Sequence, residues 1–254
     1  MQTKTSQDLR RLVSVAVFGA MAYVVMLFIR FPVGFLTLDV KDAVITLCGL
    51  YFGPVGALAL GVLVPLLEMV TVSGTGVYGF LMNMLGTLSF ALPASIIYRY
   101  RRTFEGAIVG IISSVCAMTA TMMIANLVVT PYYMHVTAAD VAKMIPTLLL
   151  PFNLVKAVLN AAIVLLLYKP LSKALRRAGF LHGREQTLPV GSLPPESEAA
   201  EPLAENEATA SPECAKRKER VRSMIVTAVA LVLIAASLLV IFLVLGGKFH
   251  FGFR

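Results

Sequence analysis

From Leu12 to Ile29 the chain carries no charged side chain, and comparable uncharged runs recur as far as Tyr168. A run of that length, wound as an α-helix, reaches most of the way across the ~30 Å of a bilayer's hydrocarbon. Lipid offers no water to satisfy backbone N–H and C=O groups, so each run must close its own hydrogen bonds as a helix. With 58% hydrophobic residues and a mean hydropathy of +0.82, the chain is predicted to be an all-α integral membrane protein. The net charge of +8 would suggest nucleic acid in a soluble domain, but here Lys and Arg gather in the connections that lie on one side of the membrane. No nucleic-acid partner is expected.

Charge also sets the topology. Lys4, Arg10 and Arg11 precede the first span, which places the amino terminus in the cytoplasm. That span is too long for a signal-peptide core and lacks a small-x-small cleavage site, so it is expected to stay. Pro32 and Gly34 make 31–36 a turn. The apolar stretch from Ala43 to Val70 reads as one long span or as two short ones broken at Phe52-Gly53-Pro54. Only the break puts Arg99, Arg101, Arg102, Lys169, Lys173, Arg176 and Arg177 all in the cytoplasm. Each half is then shorter than a perpendicular span, so the pair must be tilted, extended into loops or shielded by protein. The fifth span is expected to end at Pro131, before an irregular loop to Pro146. This gives a six-helix bundle over 1–178, a Pro, Glu, Ala and Ser-rich disordered linker over 179–215, and a basic stretch with a seventh transmembrane helix over 216–254. The carboxyl terminus lies outside if that helix spans.

Polar residues within the apolar runs are the candidates for function. In Pro151-Phe152-Asn153-Leu154-Val155-Lys156 an amide and an ammonium stand three apart, hence on one helix face, at the head of the sixth span. A charge there costs a few kcal/mol or more, so Lys156 either faces a cavity beside Asn153 or snorkels to the interface. Glu68 either faces the same cavity or sits at the interface. Asp39 and Asp42 either cap the second helix or face a ligand. Asn83 must find a partner, with a neighbouring helix backbone favoured over a ligand. Asn126 lies one turn before Thr130. Ala16 and Ala20, four apart around Gly19, form a small-residue ridge on which another helix can pack.

Three chemistries lack their residues. Cys48, Cys116 and Cys214 have neither metal nor disulfide spacing. No Gly-x-x-x-x-Gly-Lys-Ser/Thr occurs, so the chain has no P-loop of its own for ATP. The cytoplasmic turns carry no Asp-rich cluster to hold metal for lipid-phosphate chemistry. Neither an enzyme, a cofactor nor a metal site is expected.

Leu38-Asp39, Phe52-Gly53-Pro54, Leu81-Met82-Asn83-Met84 through Phe90-Ala91-Leu92-Pro93, Asn126 through Tyr132, and the Pro151–Lys156 segment together resemble the substrate-binding S component of energy-coupling factor (ECF) vitamin transporters, of the riboflavin type. The resemblance covers about 9–177. It implies a flavin contacted by Asn153, Lys156 and Asn126, with Leu38 and the adjoining backbone, Asp39 included, closing over it, and Glu68 as a further contact. It also implies that Ala16 and Ala20 dock on a transmembrane coupling subunit, which works with two ATP-binding-cassette ATPases in the plasma membrane. The seventh helix departs from the six-helix pattern. The chemistry agrees: an isoalloxazine edge with two carbonyls and an imide suits amides that donate and accept at once, and an uncharged ligand needs few ions. The alternatives are an S component for pantothenate or thiamin, or a membrane scaffold without transport.

Overall fold

The computed structural model describes residues 4–177 and four isolated positions, 224, 228, 231 and 232. The predicted linker over 179–215 and, those four positions apart, the predicted seventh helix lie outside the described residues.

The chain runs α1 (Lys4–Phe28), β1 (Arg30–Val33), β2 (Leu36–Asp39), α2 (Lys41–Phe52), α3 (Pro54–Thr71), α4 (Gly76–Tyr100), α5 (Phe104–Met134), α6 (Ala138–Met144), a π-helical turn (Ile145–Leu149) and α7 (Leu150–Arg177). Among the described residues, five segments are long and apolar enough to cross a membrane: 8–28, 54–71, 76–100, 104–134, and 138–175, which joins α6, the π-turn and α7.

Three expectations are corrected. The fold is not purely helical, because the predicted turn over 31–36 is the middle of an antiparallel hairpin pairing Arg30 with Asp39 and Val33 with Leu36. Gly34, at φ +61, allows the two-residue reversal at Gly34-Phe35. The fifth span does not stop at Pro131: α5 continues to Met134 and ends where His135 takes the left-handed conformation at φ 54. A proline removes a single backbone donor, and membrane helices absorb that loss. The loop expected before Pro146 contains α6, capped by Thr137 Oγ1 accepting from Asp140 N at 3.2 Å.

The break at Phe52-Gly53-Pro54 is present, with Gly53 at φ 93 and Pro54 opening α3. It leaves α2 with twelve residues, and all of them except Tyr51 are buried. Of the ways a short helix can be accommodated, shielding by protein is the one adopted. α2 packs against α1, α3, α4 and α7. Close approach depends on small residues: a Cβ on Gly49 would run into Ser95 Oγ and come within 2.8 Å of Ala57 Cβ.

The two ends of the bundle differ. Away from the hairpin, Tyr98 and Tyr168 share a hydroxyl hydrogen bond of 2.7 Å, and the Tyr51 ring stacks on Tyr168 while its hydroxyl donates to Tyr168 O. At the hairpin end the helices splay around a cavity.

Candidate functional site: a polar-walled cavity beneath the hairpin

The cavity opens between the hairpin, α4, α5 and α7. Strand β2 and its turn supply Phe35, Leu36 and Thr37, α4 supplies Met82, Asn83 and Gly86, α5 supplies Met118, Met122, Asn126 and Thr130, and α7 supplies Phe152, Asn153 and Lys156. Tyr78 and Tyr133 complete its aromatic lining. The space open to water-sized molecules is about 80 Å³, room for several waters and so for more than a bare ion.

Helical periodicity explains which side chains arrive. On α5, Met118, Met122, Asn126 and Thr130 recur every four residues and so share one face. On α7, Asn153 and Lys156 do the same at three. Asn126 Nδ2 donates to Met122 O at 2.7 Å, and its Oδ1 accepts from Thr130 Oγ1 at 3.0 Å. Asn153 Nδ2 donates to Leu149 O, the last carbonyl of the π-helical turn, at 2.8 Å. π-Turns leave carbonyls displaced from the regular ladder and gather at functional sites. Each amide is thereby oriented while retaining hydrogen-bonding capacity toward the cavity.

Lys156 neither snorkels nor stands alone. The residue is 7% exposed, and its ammonium lies 3.0 Å from Asp39 Oδ2 and 3.9 Å from Asp42 Oδ2, and donates at 3.4 Å to Thr37 O. Asp39 Oδ2 is shared with Lys41 at 2.8 Å, and Lys41 also reaches Glu68 Oε2 at 3.2 Å. A chain of buried charges therefore runs from α3 through α2 and β2 to the cavity wall. Burial alone would raise the Asp39 carboxyl, but Lys156 and Lys41 overcome that and hold it well below the usual carboxylate range.

The predicted residues thus fall into separate groups. Asn126, Asn153 and Lys156 line the cavity together. Asp39 and Glu68 stand behind the wall, fully buried in the charge chain, and Glu68 does not line the cavity. Leu38 packs into a small apolar cluster with Val40 and Leu159, whereas its neighbours Leu36 and Thr37 face the cavity. Neither aspartate caps α2 through its side chain. Asp39 is held by two ammoniums, and Asp42 Oδ1 accepts from Thr87 Oγ1 at 2.6 Å. The α2 amino terminus is served from α7, where Asn160 Oδ1 accepts from Ala43 N at 2.8 Å. Ala16 and Ala20 are remote from the cavity and exposed on α1.

Sequence reasoning passed over Lys41 and Asn160, and for Asn83 favoured a backbone partner over a ligand. The signal for Lys41 was available: a buried charge needs a partner, and Asp39-Val40-Lys41-Asp42 packs three charges of both signs at the head of an apolar run. Asn160, one turn beyond Lys156, also donates to Asp39 O at 3.1 Å. Asn83 lines the cavity instead of bonding a neighbouring backbone.

A model of the ECF transporter substrate-specific component matches residues 10–168. Among characterised proteins, the chain is similar to the riboflavin transporter RibU of Staphylococcus aureus (strain TCH60), 33% identical over an alignment of 181 residues that covers 67% of this chain and 95% of that protein. It is also similar to the riboflavin transporter FmnP of Bacillus subtilis (strain 168), 24% identical over 173 residues, 63% of this chain and 90% of that one. A solved structure described as the S component of a bacterial ECF transporter superposes with a TM-score of 0.58 at 29% identity, covering 67% of this chain and 99% of the other.

Proposed function

Since this chain belongs to the family of ECF transporter substrate-specific components, we propose that its cavity is the riboflavin site of an ATP-driven vitamin uptake system. The protein is a riboflavin-binding S component, a multi-pass membrane protein in which riboflavin is the transported ligand rather than a cofactor. The observation that carries the choice of ligand is the company Lys156 keeps. Its charge is matched by Asp39 at 3.0 Å while it stands beside Asn153 in a cavity lined by Phe35, Tyr78, Tyr133 and Phe152. Among the lining residues Lys156 is the one charged group, and it is paired, so the site offers donors, acceptors and aromatic faces. These suit a neutral ring system with carbonyls and an imide. The carboxylate of pantothenate would ask for an uncompensated cation, which the lining does not offer.

In this reading Asn126 and Asn153 pair with the polar edge of the flavin, Lys156 donates its remaining N–H, and Phe35 to Thr37 of the hairpin cover the ring. Asp39 and Glu68 act from behind the wall. Lacking a P-loop, the chain draws energy from partners, a transmembrane coupling subunit and two ATP-binding-cassette ATPases. The exposed Ala16 and Ala20 ridge is the surface offered to the coupling subunit. The amino terminus is cytoplasmic.

The test is the visible absorption spectrum of detergent-purified protein from riboflavin-fed cells, followed by displacement. A bound yellow flavin that stays with the protein in excess pantothenate or thiamin, and that exchanges for added radiolabelled riboflavin, is the expected result. A colourless protein that takes up pantothenate or thiamin instead would replace riboflavin as the ligand.

A further inference from the structure

The cavity's polar groups are unevenly committed. Asn126 makes two hydrogen bonds within the protein, Asn153 one and Lys156 two. Asn83 makes no hydrogen bond with any of the described residues, although its half-buried amide lines the cavity from α4. A carboxamide carries two donors and an acceptor, and leaving them idle inside a protein is unfavourable. This one is kept where an incoming molecule can use it.

Its position indicates which part of that molecule. Asn126, Asn153 and Lys156 form one wall, on the packed pair α5 and α7. Asn83 comes from a different helix, α4, which packs on α5, and its lining neighbours there include Met82, Gly79 and Gly86. A Cβ on Gly86 would sit 3.4 Å from Met122 Sδ, so α4 and α5 approach closely there. Asn83 lies three residues nearer the amino terminus of α4, ~4.5 Å along the helix. The α5–α7 wall has enough spare donors and acceptors for the carbonyls and imide of a flavin ring. The ligand's other polar groups are the hydroxyls of its ribityl chain, each a donor and an acceptor at once, and the free amide on α4 complements them.

We propose that Asn83 is a specificity-determining contact that reads the hydroxylated side chain of the ligand; this rests on the riboflavin reading above. A site built to bond a hydroxyl discriminates strongly against an analogue lacking it.

The experiment titrates the full-length, detergent-purified protein with riboflavin and with lumiflavin, the same ring bearing a methyl group in place of the ribityl chain, following flavin fluorescence. The parent, near-isosteric Asn83→Leu and truncated Asn83→Ala are compared. Both variants are expected to lose about ten- to a hundredfold in riboflavin affinity and to bind lumiflavin as the parent does, so lumiflavin also reports that they are folded. An equal loss for the two ligands, including loss of both, would assign Asn83 to packing and overturn the proposal, as would parental riboflavin affinity in both variants. A parent that binds neither flavin would instead remove the riboflavin reading itself.

Discussion

A lysine only 7% exposed inside a helix bundle needs an opposite charge beside it, and Lys156 has Asp39 at 3.0 Å. That carboxylate is held in turn by Lys41, which is wholly buried and has Glu68 on its far side. Removing one member of such a chain strands the others. Lys41→Met leaves Glu68 without its ion partner and Asp39 with Lys156 alone, a loss of about 3–5 kcal/mol by analogy with broken buried pairs. Thermal unfolding in detergent should show a markedly lower midpoint for this variant than for the parent, and an unchanged midpoint would mean that the charges are solvated. Asn153 and Lys156 were legible as a pair because a polar couple on one face of an apolar helix stands out by spacing alone. Lys41 was marked only by its cluster with Asp39 and Asp42, a weaker signal, because a charge next to a helix start reads as solvated until the fold buries it. Asn160 escaped for a related reason: capping from another helix leaves no local pattern, whereas an Asp near a helix start suggests a local cap.

At the scale of elements, the sequence exposed each long span and the Gly53-Pro54 break, since apolar length and charge parity are local properties. It missed the hairpin because 30–39 are too few residues to show alternation clearly, and because Pro32 argues against a strand. The structure tolerates Pro32 in a two-stranded ribbon, where each strand has an open edge. The same element logic separates binding from coupling. Ala16 and Ala20 face outward from α1, away from the cavity. Replacing either by Trp should therefore leave flavin affinity within about twofold of the parent, the ordinary result for exposed substitutions, while abolishing uptake in cells that supply the partner subunits. Uptake that persists in both variants would move the docking surface elsewhere. Loss of binding would make the ridge part of the internal packing.

At the scale of the whole molecule, the cavity lies at the hairpin end and the tyrosine cluster of Tyr51, Tyr98 and Tyr168 away from it. Charge asymmetry orients this axis: Arg99, Arg101 and Arg102 follow α4 on the tyrosine side, so the cavity should open to the exterior. A topology reporter fused after Arg177 should read cytoplasmic, and one fused after Arg254 external. An external reading at Arg177 would turn the cavity inward and contradict an uptake role. The most direct measurement on the site itself is a riboflavin titration by fluorescence quenching, made on the parent, Asn153→Ala and Lys156→Met, with each shown to be monodisperse. The parent should saturate at one flavin per chain. Asn153→Ala should lose about one to two decades in affinity, as expected when polar groups of a ligand are left unpaired in a dry pocket. Lys156→Met, which keeps the apolar stem but not the donor, should also weaken binding. Parental affinity in both variants would place the flavin elsewhere and leave the Pro151–Lys156 segment a packing element alone.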